Sequence, residues 1–161
     1  MIRHICYIII FICLHFSAFA EVANKIEIVG NDRVSDSTIK VYGDIDFKKK
    51  NNFNQEDLNL ILKKLYDTDF FEDINVSLNN SILRIKVVEY KIINNLILEG
   101  EKANKVKEFI TENIYSRSNS SFIKSKVNSD TNIIKEIYSS LGYNFAEIEV
   151  NTVKIDNRRL D

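Results

Sequence analysis

The side chains with the most capacity for chemistry are two close carboxylate pairs, Asp67 with Asp69 and Glu72 with Asp73. Paired acids can divide the roles of proton donor and acceptor, or hold a divalent cation. Their setting argues against both. They fall between the end of an amphipathic helix and the start of an alternating run, where carboxylates are ordinarily solvated. The partners such chemistry needs are missing, because from Glu21 onward the sequence holds no histidine, cysteine or tryptophan. No nucleophile triad, phosphate-cradling glycine loop or HExxH pair can be assembled. Gly30, Gly43, Gly100 and Gly142 each sit at the end of an element, which backbone geometry explains without a cofactor. The many asparagines could contact a sugar, yet none group into a definable pocket. Neither catalysis, a metal nor a cofactor is expected. What remains is main-chain hydrogen bonding, and that depends on the strands and helices.

The first twenty residues stand apart. Met1, Arg3 and His4 make a short basic start, Ile5 to Phe16 is apolar except for His15, and Ser17-Ala18-Phe19-Ala20 places small residues at both peptidase-checked positions. This is the layout of a secretory signal cleaved before Glu21. Its apolar run of about 12 residues is short of the roughly 20 that cross a bilayer. Both cysteines, Cys6 and Cys13, lie inside it, so the remaining chain is expected to be held by packing without disulfides. The full chain carries a net charge of -1. No basic field accumulates, which excludes a nucleic-acid partner.

The residues after Glu21 read as one unit written twice. Lys25–Val29 alternates as a strand and ends at Gly30-Asn31. A short helix over Ser35–Tyr42 is capped by Ser35 or Ser37 and ended by Gly43. Asn54 caps a second helix, with Asp57 three residues on, and Leu58, Ile61, Leu62 and Leu65 share one face. Two alternating runs follow. Phe70, Ile74, Val76 and Leu78 are expected inward in the first, with Phe71 outward and Glu72 breaking the pattern. Leu83, Ile85 and Val87 are expected inward in the second. Asn79-Asn80 supplies the hairpin turn between them.

The order then restarts. Ile92–Glu99 alternates and ends at Gly100, 70 positions after Gly30. Helices are expected over Ala103–Ile114 and through Val127, Ile134, Ile137 and Tyr138, stopped by Gly142. Tyr143–Val150 is a strand candidate whose phase slips near Ala146, and Val153 and Ile155 suggest a last strand. The expected architecture is α+β: two β-α-α-β-β modules in tandem, each a three-stranded mixed sheet covered by two helices. The expected boundaries are residues 1–20 for the signal, 21–90 for the first module and 91–161 for the second. Asn157–Asp161 reads as a polar tail, and the second module as incomplete at its C-terminus, so the chain is expected to be a fragment.

Particular stretches resemble a known family. Ile26-Glu27-Ile28-Val29-Gly30-Asn31, with Val34 and Ser37-Thr38-Ile39, resembles the opening of a polypeptide-transport-associated (POTRA) module. Leu62 to Ile74 resembles its second helix running into its second strand, with Leu65-Tyr66-Asp67-Thr68-Asp69-Phe70-Phe71-Glu72-Asp73-Ile74 the most specific run. Leu83–Glu89 resembles the closing strand, and Ile97-Leu98-Glu99-Gly100 the opening of another module. Glu101 departs from the asparagine usual after that glycine. The nearest resemblance is to the BamA family of outer-membrane β-barrel assembly factors.

That resemblance implies a periplasmic scaffold attached to the outer membrane through a C-terminal barrel. No series of barrel-spanning strands occurs in this sequence. The implied partners are unfolded outer-membrane proteins, recruited by β-augmentation, and outer-membrane assembly lipoproteins. It places the second strand of each module at a sheet edge, which makes Phe70, Phe71, Ile74, Val76 and Leu78, and Tyr143, Phe145 and Ile148, the candidate binding residues. Tyr90, Lys91, Ile92 and Ile93 form the inter-module junction, short enough to limit swing. Phe71, if outward, is a docking residue for a peptide or lipoprotein. The competing expectations are a periplasmic domain of a two-partner secretion or related translocation protein, and a soluble peptidoglycan- or carbohydrate-binding protein.

Overall fold

The computed structural model describes residues 20–161. The expected signal segment, apart from Ala20, lies outside the described residues, as do both cysteines and both histidines.

Strand β1 (Glu21–Val22) is followed by β2 (Lys25–Val29), α1 (Asp36–Tyr42), β3 (Asn52–Phe53), α2 (Gln55–Tyr66), β4 (Phe71–Asn79) and β5 (Ile82–Glu89). Local chemistry explains the helix starts. The Ser35 hydroxyl accepts from the Thr38 N–H at 3.2 Å. Asn54 and Asp57 form a complete capping box, each side chain accepting the other's backbone N–H at 2.9 Å. The capped Asp57 carboxyl is held below the usual carboxylate range, first by the Asn54 N–H and then by Lys50. The hairpin turns through Asn80 and Ser81, whose φ angles of 52° and 61° are the pair a tight two-residue turn requires.

The sheet order is β2-β5-β4, so the last strand in sequence is the middle one in space. β5 runs parallel to β2, from Lys25↔Ile82 to Val29↔Lys86, and antiparallel to β4. Leu83, Ile85 and Val87 of β5 pack with Ile39 of α1, Ile61 and Leu65 of α2, and Phe71 and Ile74 of β4 in one continuous core. A small added sheet, β1 with β3, closes a further side and buries Phe53.

The register of β4 corrects the expected facing of its first residues. Phe71 pairs with Glu89 but Asp73 pairs with Val88, so Glu72 is the extra residue of a bulge. The bulge shifts the parity. Phe71 and Ile74 therefore both point into the core, at 1% and 6% exposure, and Phe71 is not an outward docking ring. Phe70 precedes the strand and is half-buried, edge-on to Tyr42 at 5.7 Å with the Arg33 guanidinium over its ring.

The chain after Glu89 is built differently from expectation. It contains β6 (Ile92–Ile93), α3 (Asn104–Asn113), α4 (Lys124–Ser140) and β7 (Arg159–Leu160). Ile110, Ile114 and Ile137 make a small core with Leu96, Leu98 and Tyr138 packed against it. Buried Asp130 of α4 holds the turn after α3 by accepting the N–H groups of Tyr115 and Ser116 at 2.6 and 2.9 Å. The expected strand over Ile92–Glu99 is regular only at Ile92–Ile93, and Tyr143–Val150 forms no strand. Val153 and Ile155 precede a turn instead of forming the last strand. Val153 exchanges main-chain bonds with Asp161 at 2.7 and 2.9 Å, and the Ile155 N–H reaches the Arg159 carbonyl at 3.1 Å. Nor is Asn157–Asp161 merely a polar tail, because Leu160 is buried and pairs with Ile93. The physical reason is common to these differences. Two outer strands bond only through a middle one, and here the middle place is held by Arg159–Leu160 over two residues.

Gly30 (φ +89°) carries the sharpest backbone constraint, since a Cβ there would lie 2.1 Å from the Val87 carbonyl oxygen. Gly100 (φ +83°) has nothing within 4 Å of the same position. Gly30→Ala is expected to cost about 2–4 kcal/mol in urea unfolding, through clash plus left-handed strain. Gly100→Ala should cost only about 1 kcal/mol, from strain alone. Equal losses would contradict the close approach to Val87.

Candidate functional site

β4 is an edge strand, bonded to β5 on one side only. Which of its main-chain groups face the open side follows from one contact. The Ile74 N–H donates to the Tyr66 hydroxyl at 3.1 Å and so points away from β5. In an antiparallel ladder this direction alternates, so Val76 and Leu78 present their N–H and C=O groups to the same open side. Their side chains meanwhile pack half-buried against the core. The edge thus offers polar backbone at Val76 and Leu78, with Tyr66 covering Ile74. Glu72, Asp73 and Asn75 lie exposed along the strand. Sequence reasoning reached Ile74, Val76 and Leu78 through their shared parity but missed Tyr66. Its hydroxyl, eight residues back at the end of α2, gave no periodic signal.

The counterpart in the C-terminal half is not an edge strand. Tyr143 and Phe145 are exposed, Phe145 at 97%, and Ile148 is half-buried against a groove. Tyr143 packs edge-on to Tyr138 at 6.3 Å. Tyr138 donates to the Glu101 carboxylate at 2.8 Å, and burial together with that bond pushes its phenol up to about 12. The structure does not bring Tyr143, Phe145 and Ile148 onto one surface with β4.

At the junction, only Tyr90 and Lys91 separate β5 from β6. Both are tied by main-chain bonds. The Tyr90 N–H donates to the Phe70 carbonyl at 3.0 Å, and the Lys91 carbonyl accepts from the Phe122 N–H at 2.7 Å. Ile92 and Ile93 donate to the carbonyls of Arg158 and Ser120, both at 2.8 Å. Two ion pairs cross the junction, Lys126 with Asp69 and Arg158 with Asp32. Both are exposed, and such pairs contribute only about 0–1 kcal/mol, so the main-chain bonds hold the join more firmly. Burial, followed by the charges of Glu72 and Asp69, raises the Tyr90 phenol above its ordinary value.

The carboxylates that opened the chemical question stay solvated. Asp67, Glu72 and Asp73 are exposed, and Asp69 is spent on Lys126. Among the described residues no three histidines, cysteines or carboxylates come together as a metal cage. No helix among them is long and apolar enough to cross a membrane.

Comparison with known proteins bears on this arrangement at two levels. No family model matches the chain. In sequence it is 30% identical over 84 residues to the outer membrane protein assembly factor BamA of Neorickettsia risticii (strain Illinois), a match covering 52% of this chain and 11% of that protein. The matched stretch therefore spans about a tenth of that relative's length. In structure it is similar to the N-terminal domain of Omp85 from Thermosynechococcus elongatus, with a TM-score of 0.53 and 12% identity over 88% of this chain and 60% of the other. POTRA domains 1 and 2 of Omp85 from Anabaena align over 88% of this chain and 92% of theirs at 9% identity, with a TM-score of 0.46 that adds nothing to the fold assignment.

Two adjacent rings separate the core from its rim. Phe71→Ala should cost about 3–5 kcal/mol, the range for a fully buried ring. Phe70→Ala, at the half-buried rim, should cost about half as much. Paired urea titrations decide this, and the reverse ranking would restore the parity expected without the bulge.

Proposed function

We propose that this chain, a POTRA-domain protein of the BamA family, serves as a periplasmic receptor arm in outer-membrane protein assembly. It acts by binding, not by catalysis. Its residues 21–90 and 91–161 are taken as two consecutive modules, preceded by a cleaved signal over residues 1–20. The observation that carries the reading is the open side of β4, where Val76 and Leu78 offer main-chain donors and acceptors without a strand partner in the sheet.

Such an edge suits a receptor for many unfolded barrel precursors. A client strand laid along it gains backbone hydrogen bonds that any sequence can make. The exposed carboxylates of Glu72 and Asp73 discourage two copies of the chain from pairing through the same edge. The capped edge at Ile74 directs a client toward Val76 and Leu78. The junction at Tyr90–Ile93, bonded to both sides, carries the receptor at a limited range of angles. Assembly lipoproteins are the second class of partner, and an outer-membrane barrel in the full-length protein is the expected anchor. These assignments rest on kinship over part of a longer relative.

Val76→Pro tests the edge directly. Proline is tolerated on edge strands but cannot donate from its nitrogen. Affinity for a fluorescent peptide from an unfolded outer-membrane protein should fall about tenfold, with unchanged circular dichroism, for the loss of roughly one main-chain bond and of close approach. Unchanged affinity would remove β4 as the receptor edge.

A further inference from the structure

The three-stranded sheet of the N-terminal half has a second open side. β2, like β4, is bonded to β5 alone. The Lys25 N–H donates to the Ser81 carbonyl at 3.3 Å, so the main chain of Lys25 faces β5. That direction alternates along a strand, so Ile26 and Ile28 turn their N–H and C=O groups away from β5. Among the described residues no main-chain hydrogen bond takes up those groups. The side chains of Ile26 and Ile28 pack half-buried against the core. The chain just before them is closed off, because β1 pairs with β3 and the Ala23 N–H is held by the Asn51 carbonyl at 2.7 Å.

The two open sides match each other. β2 runs parallel to β5, and β4 runs antiparallel to it. A second copy placed beside the first in the same orientation therefore sets its β4 antiparallel to β2, with the helices of both copies on one face. Tyr66 already holds the Ile74 N–H, which leaves Val76 and Leu78 for the pairing. The register then places Ile26 opposite Leu78 of the second copy and Ile28 opposite its Val76, each pair exchanging both main-chain bonds. On the helix side, half-buried apolar side chains meet one another. On the other side, Lys25 meets Asn79, Glu27 meets Ser77 and Val29 meets Asn75, and no like charges stand opposite. The approaching edges are also complementary in charge. β4 carries Glu72 and Asp73 and no lysine or arginine, whereas the outward faces of β2 and β5 carry Lys25, Arg84 and Lys86 against Glu27.

We infer that copies of this chain associate head to tail, β4 of one joining β2 of the next in a continued sheet. Each pair retains one free β2 and one free β4, so the association is open-ended. The pairing occupies the edge assigned above to clients, so a client and a second copy exclude one another there. It requires that edge to be open but does not require a client to bind it.

Sedimentation velocity of the chain over residues 21–161 should show a mass that rises with concentration past that of a dimer. Ile28→Pro blocks β2 and Val76→Pro blocks β4, each at a position whose N–H faces the open side, where proline is tolerated. Either variant alone should stay monomeric. An equimolar mixture of the two should form a dimer and nothing larger, through the intact β2 of one and the intact β4 of the other. Asn79→Lys leaves both main chains unchanged and sets like charges opposite at Lys25, which should weaken the association about two- to fivefold. Adding Lys25→Glu should restore it. A monomer at every concentration, association by either proline variant alone, or a mixture that stays monomeric or grows past a dimer would overturn the inference, as would Asn79→Lys without effect. Ile28→Pro leaves β4 intact, so its affinity for a client peptide reads the receptor edge separately from self-association.

Discussion

The fold depends on a topological constraint: the strand that arrives last in the sequence must occupy the middle of the sheet. β5 alone touches both β2 and β4, and its inward residues Leu83, Ile85 and Val87 are the most buried layer of the core. Until it is in place, β2 has no strand partner in this sheet and the helices have no complete floor. Pairing β5 with β4 is local, across a two-residue turn. Pairing it with β2 joins residues 57 positions apart, from Lys25↔Ile82 onward, and carries the larger loop-closure cost. The far end of that pairing is fastened by Glu89. Its carboxylate accepts the N–H groups of Asp32, Arg33 and Val34 at 2.8 to 3.1 Å, which ties the loop after β2 to the end of β5. Gly30 lies at the start of the same loop, where only a residue without Cβ clears the Val87 carbonyl.

The contrast between the two halves shows the same constraint from the other side. Where β5 is complete, an ordered three-stranded sheet covers twelve buried core residues. Where only Arg159–Leu160 takes the middle place, Ile97, Tyr143 and Val153 remain more than half exposed. The flanking segments have the apolar residues for a sheet but no continuous partner to bond.

Much of this was legible in the residues, and the exceptions have physical reasons. The α2 start was readable because Asn54 and Asp57 stand at the spacing a capping box demands. The β4–β5 hairpin was readable because asparagine tolerates the left-handed region its turn requires. The bulge was not resolved. The Phe70-Phe71 doublet and the misplaced Glu72 signalled an irregularity, but parity alone could not say which ring turns inward. β1 and β3 are too short to show any period. In the C-terminal half, the alternation of Tyr143–Val150 expressed a strand's pattern without a strand partner. At the candidate site, Ile74, Val76 and Leu78 were legible because side chains of one parity share their backbone direction. Tyr66 was not, because its contact with Ile74 is tertiary.

An edge that bonds through its backbone joins the fold to the proposed function. The core holds β4 through the side chains of Ile74, Val76 and Leu78, and this leaves the main-chain groups of Val76 and Leu78 turned to the open side. Under the proposed function, specificity for strand-forming clients comes from geometry and not from a pocket. The most direct measurement is residue-resolved hydrogen exchange of the Val76 and Leu78 amides, with and without an unfolded outer-membrane protein peptide. The account predicts fast exchange in the free protein and marked slowing at these two amides on addition of peptide. Slow exchange at both before any peptide is added, or no change on addition, would contradict the claim that β4 is an open receptor edge.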